Sequence, residues 1–414
     1  MRFFLWTIDS IFTQFPNFLI LMYDRFTEGG DFVEYVVKAK QFLLEHEVKT
    51  DGYLHIKDGV FNEFVNGIPE NIDVVDWSDY TIAPGLFDSH IHGINSYDVM
   101  DGKNVAIHEM SKALMKIGVT RFLPTTLTSS QGDLERAIIA VIHAVEEGLE
   151  GAQSEGIFLE GPFFTEKHKG AQNPAHFMDP SVEQLTKWQL LAKGHILKLA
   201  LAPEREGSLA FIEQLRNDLF ISIAHSDATY DRCNEAVQKG ANQFVHLFNG
   251  MSGLHHRAPG VVGAAFMNEQ SFAEIICDGH HVHPDMAVLA ARIKGQNLVL
   301  ISDCMRAGLM PDGEYYLGEF AVTMKDGIAR TASGSLAGST LSLIDGVKNL
   351  TKWSGLPLHD VWHLASLSPA RSVGKDKTLG SIAAGKVADF VVLDETLSVV
   401  STTIDGVEKY RRSK

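Results

Sequence analysis

Cysteine is scarce in this 414-residue chain, and the three present, Cys233, Cys277 and Cys304, are widely spaced and form no Cys-x-x-Cys pair. That pattern excludes a disulfide framework and a thiolate zinc site, and fits reduced, buried thiols in the cytoplasm. Cationic residues are also in short supply. The 36 Lys and Arg face 52 Asp and Glu, giving a formal charge of −16 at pH 7. This argues against nucleic acid or an anionic membrane as the main partner. A phosphorylated small molecule stays compatible, since a single arginine fork or helix N-terminus can hold phosphate against the global field. No apolar run is long enough to cross a bilayer: Met1–Tyr23 is interrupted by Asp9, Gln14, Pro16 and Asn17, and no small-residue cleavage signal follows it. There is no low-complexity tract and no short repeat. The length suits one large domain plus a small accessory one.

The first 32 residues match nothing that follows them. Glu28-Gly29-Gly30-Asp31 can be encoded by a stretch containing a ribosome-binding sequence, and Val33 by a GTG start codon. Residues 1–32 are therefore expected to be a non-native segment or a flexible extension.

Five short apolar runs each end in a polar residue able to bind metal or protons. They close on His90 and His92, on Glu160, on His225, on His246 and on Asp303. Strands buried on both faces read as continuous apolar runs. With intervening amphipathic stretches, eight such runs appear: Asp88–His92, Arg121–Pro124, Gly156–Glu160, Leu197–Ala202, Phe220–His225, Gln243–Leu247, Ala273–Cys277 and Leu298–Ser302. Helices are expected at Asp101–Ile117, stopped by Gly118, and at Tyr230–Lys239, stopped by Gly240. The rhythm predicts an α/β fold, a (β/α)8 barrel of the TIM type over residues 84–376. Short β-like pieces such as Gly52–Ile56 and Ala388–Asp394 flank it, so residues 33–83 and 377–414 are expected to form one small β-sandwich from both termini.

Barrel enzymes carry their chemistry at the carboxyl ends of the strands. His90 and His92 lie two apart on one strand and face the same way. With Glu160, His225 and His246 they make a set suited to one or two divalent ions, zinc, iron or similar. Asp303, after Leu298–Ser302, is placed to take a proton from a metal-activated water and return it to a leaving amine. Asn249 and Gly250 follow His246 closely, and Arg257 could hold an anion through a bidentate fork. Asp278-Gly279-His280-His281 follows the seventh run. His55, His108, His143, His168, His195 and His363 are expected to be solvated.

Ala83-Pro84-Gly85-Leu86-Phe87-Asp88-Ser89-His90-Ile91-His92 resembles the first-strand signature of the amidohydrolase superfamily. Leu159–Phe163, Ala224–Ala228, His246–Met251, Arg257–Gly260, Asp278–Val282, Ile301–Arg306 and Leu336–Ser339 narrow the likeness to its amino-sugar-phosphate deacetylases, over nearly everything from Tyr35 onward. The resemblance implies hydrolysis of the acetamide of N-acetyl-D-glucosamine 6-phosphate to D-glucosamine 6-phosphate and acetate. It implies that Glu160, His225 and His246 bind the main metal, that His90 and His92 favour a second, and that Asp303 is general base and then acid. His281 would hydrogen-bond the acetamide carbonyl. Asn249, the Gly250 backbone and Arg257 would bind the sugar phosphate, with Arg257 supplied across a homodimer interface. Ala171, Gln172, Leu336, Ala337 and Gly338 would line the sugar pocket. Gln172 departs from relatives that carry histidine in this lid.

Two other readings compete. A cyclic-amide hydrolase or dipeptidase of the same superfamily often bridges its metals with a carboxylated lysine at the end of strand four, whereas here that strand ends Leu201-Ala202-Pro203-Glu204. A non-catalytic barrel serving assembly would have lost a ligand or the aspartate, and all are present.

Overall fold

The computed structural model describes residues 34–413. The segment 1–32, expected to be non-native or flexible, lies outside them. The eight central strands are Leu86–Ile91 (β1), Val119–Thr126 (β2), Ile157–Phe163 (β3), Ile196–Leu201 (β4), Phe220–Ile223 (β5), Ala241–Phe244 (β6), Phe272–Ile276 (β7) and Leu298–Ile301 (β8). Consecutive strands pair in parallel from β1 through β8. The seam between β8 and β1 closes at the carboxyl end, where Ile91 bridges Cys304 and the Asp303 N–H donates to the His90 carbonyl at 2.9 Å. Every residue of β1, β2 and β3 is buried, which is why their sequences lack the polar alternation of a half-exposed sheet. All three cysteines are free and buried.

The helix at Tyr230–Lys239 has the expected bounds: the Thr229 hydroxyl caps it by accepting from the Arg232 N–H, and Gly240 ends it with positive φ. The other begins later than expected, at Asn104–Lys116, because Asp98 caps a separate 3-10 turn, Val99–Asp101, that left-handed Gly102 terminates.

Strands from both ends of the described chain join in one further sheet. Asp73–Pro84 pairs in parallel with Glu34–Leu43 on one side and antiparallel with Phe390–Leu393 on the other. Phe42, Ile56, Phe61, Ile82, Phe390 and Val392 form its separate core. His55, expected at solvent, is buried there between Glu34 and Asn62. Arg121 of β2, paired within the barrel to buried Glu155, ties this sheet to it through a buried ion pair to Asp389 and a further pair to Asp405. After β8 an antiparallel insert, Gly313–Leu317, Phe320–Lys325 and Ile328–Thr331, folds over the barrel mouth. Among the described residues no helix is long and apolar enough to cross a membrane.

Candidate active site

The polar residues that end the strands meet at one mouth of the barrel. His225, His246 and Asp303 stand just beyond β5, β6 and β8 with φ of 44°, 32° and 48°. Left-handed backbone is costly for residues with a Cβ, about 1–3 kcal/mol each, and such strain gathers where geometry serves function. Here it turns three side chains inward at the ends of the strands.

Three of the four inner histidines are oriented through Nδ1 by a backbone carbonyl. His92 meets Thr125 O at 3.2 Å, His225 meets His168 O at 2.9 Å and His246 meets Asn249 O at 3.0 Å. The fourth, His90, meets the Glu274 carboxylate at 3.0 Å. A carbonyl can only accept, so Nδ1 carries a proton and Nε2 is left to bind a cation, whether a proton or a metal ion. These Nε2 atoms converge: His90 on His92 at 3.3 Å, and His225 on His246 at 3.3 Å. Lone pair facing lone pair at that distance is repulsive unless a cation lies between them.

Glu160 supplies the anionic partner for both pairs. Its Oε1 stands 3.2 Å from His246, 3.4 Å from His225 and 3.6 Å from His90, and its Oε2 lies 3.3 Å from His92. Donor atoms of His90, His92 and Glu160, and separately of Glu160, His225 and His246, fall within 4.8 Å of one another. The chemistry and spacing of these donors fit two divalent ions sharing one carboxylate. Burial alone would raise the Glu160 carboxyl, but His225, His246 and His92 hold it well below its ordinary range. Burial likewise opposes charge on His92, yet Asp303 and Glu160 push that imidazole well up. The cavity is thus electrically suited to cations.

Asp303 sits at the edge of this cluster, Oδ1 3.5 Å from His90 and 3.3 Å from His92. His281, on the loop after β7, is held by Asp278, which accepts from its Nδ1 at 2.7 Å and from its backbone N–H at 2.8 Å. A carboxylate at Nδ1 fixes the ring, keeps a proton on that nitrogen and directs Nε2 away from it.

Above lies a cavity of about 280 Å³ whose lining includes His92, Glu160, His225, His246, His281 and Asp303. Ala171, Gln172, Asn249, Gly250, Leu336 and Gly338 also line it, as do Leu127, Leu317 and Ser335, which the sequence did not single out. Ala337 is instead packed into the core beneath the insert. His90 lies deeper, completely buried. Arg257 is not among the lining residues; it is exposed and leans on His256. Among the described lining residues there is no lysine or arginine.

Gln172 does more than line the wall. It is buried, donates to Glu160 Oε2 at 2.7 Å and accepts the Thr128 N–H at 2.9 Å, so it braces the shared carboxylate. The neighbouring loop is tied to the insert by Glu319, which accepts from Asn173 at 2.6 Å. Glu204, at the end of strand four, accepts from Thr165, Ser226 Oγ and the Asp227 N–H, fixing the turn that carries His225. A lysine does occur in strand four, three residues before its end. Lys198 is fully buried and pairs with Glu274.

A closed parallel barrel with imidazoles and carboxylates converging at its carboxyl mouth defines the class, a metal-dependent hydrolase. A model of the amidohydrolase family matches residues 81–411, and the chain belongs to that family. It is similar to N-acetylglucosamine-6-phosphate deacetylase of Vibrio furnissii, 43% identical over 81% of this chain and 84% of the relative. It is also similar to N-acetylgalactosamine-6-phosphate deacetylase of Escherichia coli O157:H7, 38% identical over 90% of this chain and 98% of the relative. Among solved structures, N-acetylglucosamine-6-phosphate deacetylase from Pasteurella multocida superimposes with a TM-score of 0.86 at 26% identity, over 92% of this chain and 100% of that one.

Proposed function

We propose that this protein hydrolyses the acetamide of N-acetyl-D-glucosamine 6-phosphate to D-glucosamine 6-phosphate and acetate, using two divalent ions, zinc, iron or similar. The observation that carries the reading is the pair of donor groups sharing Glu160 beneath the cavity, with Asp303 at their edge. The names of the similar proteins supply the substrate.

A divalent ion held at these residues would supply a lowered pKa for water and polarisation of the carbonyl under attack. Glu160, His225 and His246 would hold one ion, and His90 and His92 with Glu160 would hold a second. Asp303 takes the proton of the attacking water and passes it to the departing amine nitrogen. His281, oriented by Asp278, turns Nε2 toward the acetamide oxygen and, as the imidazolium, donates to it as negative charge gathers there. The loop carrying Gln172 and the insert carrying Leu317 exclude bulk water. Asn249 and the Gly250 backbone bind toward the phosphate, and Ala171, Leu336 and Gly338 shape the sugar end, with Ala337 packed behind them. Among the described residues the lining has no lysine or arginine, which supports delivery of Arg257 from a second copy in a homodimer. The reaction belongs in the cytoplasm, where the buried free thiols persist.

The likeness to the galactosamine enzyme favours a second reading, in which the 4-epimer is the better substrate. Comparing kcat/KM on the two sugar phosphates decides between them. For the chemistry, Asp303→Asn should cut acetate release by about 10²- to 10⁴-fold while leaving bound metal unchanged. Release at the parental rate would remove Asp303 from the proton path.

A further inference from the structure

The four inner histidines are not held alike. Three lean on main-chain carbonyls that the fold fixes whatever the side chains are. His90 leans on Glu274 of β7, whose other carboxylate oxygen is gripped by Lys198 of β4. All three side chains are completely shielded from solvent. The Lys198 ammonium stands 3.9 Å from the centre of the Phe158 ring, and the same ring packs edge-on against His90 at 5.0 Å. Lys198, Glu274, Phe158 and His90 therefore form a closed bracket across the barrel, below the cavity.

Such a pair is an expensive way to fill a barrel interior, since two ions leave water for one another and apolar side chains of similar size often do as well or better. Nothing in the reaction reaches Lys198 or Glu274, neither of which lines the cavity. What the bracket does achieve is orientation. Glu274 occupies Nδ1 of His90 and so aims Nε2 at the donors of His92 and Glu160. The equivalent service for the ion at Glu160, His225 and His246 needs no side chain at all.

We propose that Lys198 and Glu274 are positioning residues for His90, and that they govern filling of the second ion site, His90, His92 and Glu160, without governing the first. The inference rests on the two-ion reading above. Outer partners of ligating histidines typically change metal affinity by about 10- to 100-fold when removed.

The test is a metal titration of the full-length apoprotein with cobalt(II), followed by its visible absorption and by metal analysis at a buffered free concentration. The parent is expected to take two ions. Lys198→Met leaves Glu274 without its partner, so it is paired with the charge-neutral double variant Lys198→Met/Glu274→Gln, in which neither buried charge survives. The double variant should fold, take the first ion with parental affinity, and bind the second about 10- to 100-fold more weakly. Adding Glu274→Asp as the single variant should recover less than the parent, because the shorter arm cannot span both partners. If the parent itself takes one ion, the two-ion reading fails. If the parent takes two and the double variant binds both with parental affinity, the bracket is a structural ion pair only and the inference is overturned.

Discussion

Gly250 offers the sharpest test of how the site is held. Its φ is +59°, and a Cβ built there would lie 2.9 Å from His225 Nδ1, 3.1 Å from its Cε1 and 3.3 Å from the His168 carbonyl. Ordinary contact between such atoms begins near 3.5 Å, so the methyl of Gly250→Ala intrudes by about 0.5 Å. It intrudes where the imidazole donates to His168, so the ring cannot yield without giving up the bond that aims Nε2. Left-handed backbone adds about 1–2 kcal/mol for alanine. The expected result is a stability loss of that size and a loss of affinity for the ion at Glu160, His225 and His246 of about 10- to 100-fold. Urea melts and metal content at buffered free metal measure the two effects separately. Gly253→Ala is the control, because a Cβ at Gly253 meets nothing within 4 Å. If Gly250→Ala binds metal as tightly as Gly253→Ala, close packing does not set the His225 ligand.

Asp278→Ala removes the carboxylate that orients His281 and should lower kcat by about 10²-fold with metal content unchanged, close to the cost of losing one oxyanion donor; steady-state kinetics with metal analysis checks both. Arg121→Met strands the buried carboxylate of Asp389, while Glu155 keeps Lys375, and should destabilise the protein by about 3–5 kcal/mol in denaturant melts, the range for breaking a buried ion pair. Burial, and then His359 alongside, push the His363 imidazole from its ordinary 6.5 down to about 4. Between those pH values the unfolded chain binds a proton here that the folded chain refuses, so stability falls as pH drops through that window. His363→Gln should make that fall shallower by up to one proton, read as the change in unfolding free energy between pH 6.5 and 4.

The barrel was legible because its strands are buried on both faces: β8 is Leu298-Val299-Leu300-Ile301 without a polar break and β3 opens Ile157-Phe158-Leu159, and a histidine or carboxylate at the end of such a run has few other reasons to be there. The braces were harder to see. Gln172 and Glu204 act from loops, where spacing along the chain says nothing about reach. Lys198 and Glu274 meet across the barrel from β4 and β7, a pairing that only the closed strand order produces. The lysine appears in the sequence as one polar residue inside an apolar strand, and that is the signal that marks it. The insert after β8 was legible in principle, since Phe320–Lys325 alternates buried and exposed residues and Asp326-Gly327 supplies a hairpin turn. Arg257 shows the reverse limit: its motif is plain in the sequence, yet the folded chain points it away from its own cavity.

The sheet shared by both ends of the chain has a consequence for biosynthesis. The strand Asp73–Pro84 leaves the ribosome early, but the neighbour that covers one of its edges, Phe390–Leu393, emerges only after the entire barrel has been translated. Until then an unpaired β edge is open to other nascent chains. Premature termination anywhere within the barrel would leave that edge permanently bare, so shortened products should precipitate even where their barrel strands are intact.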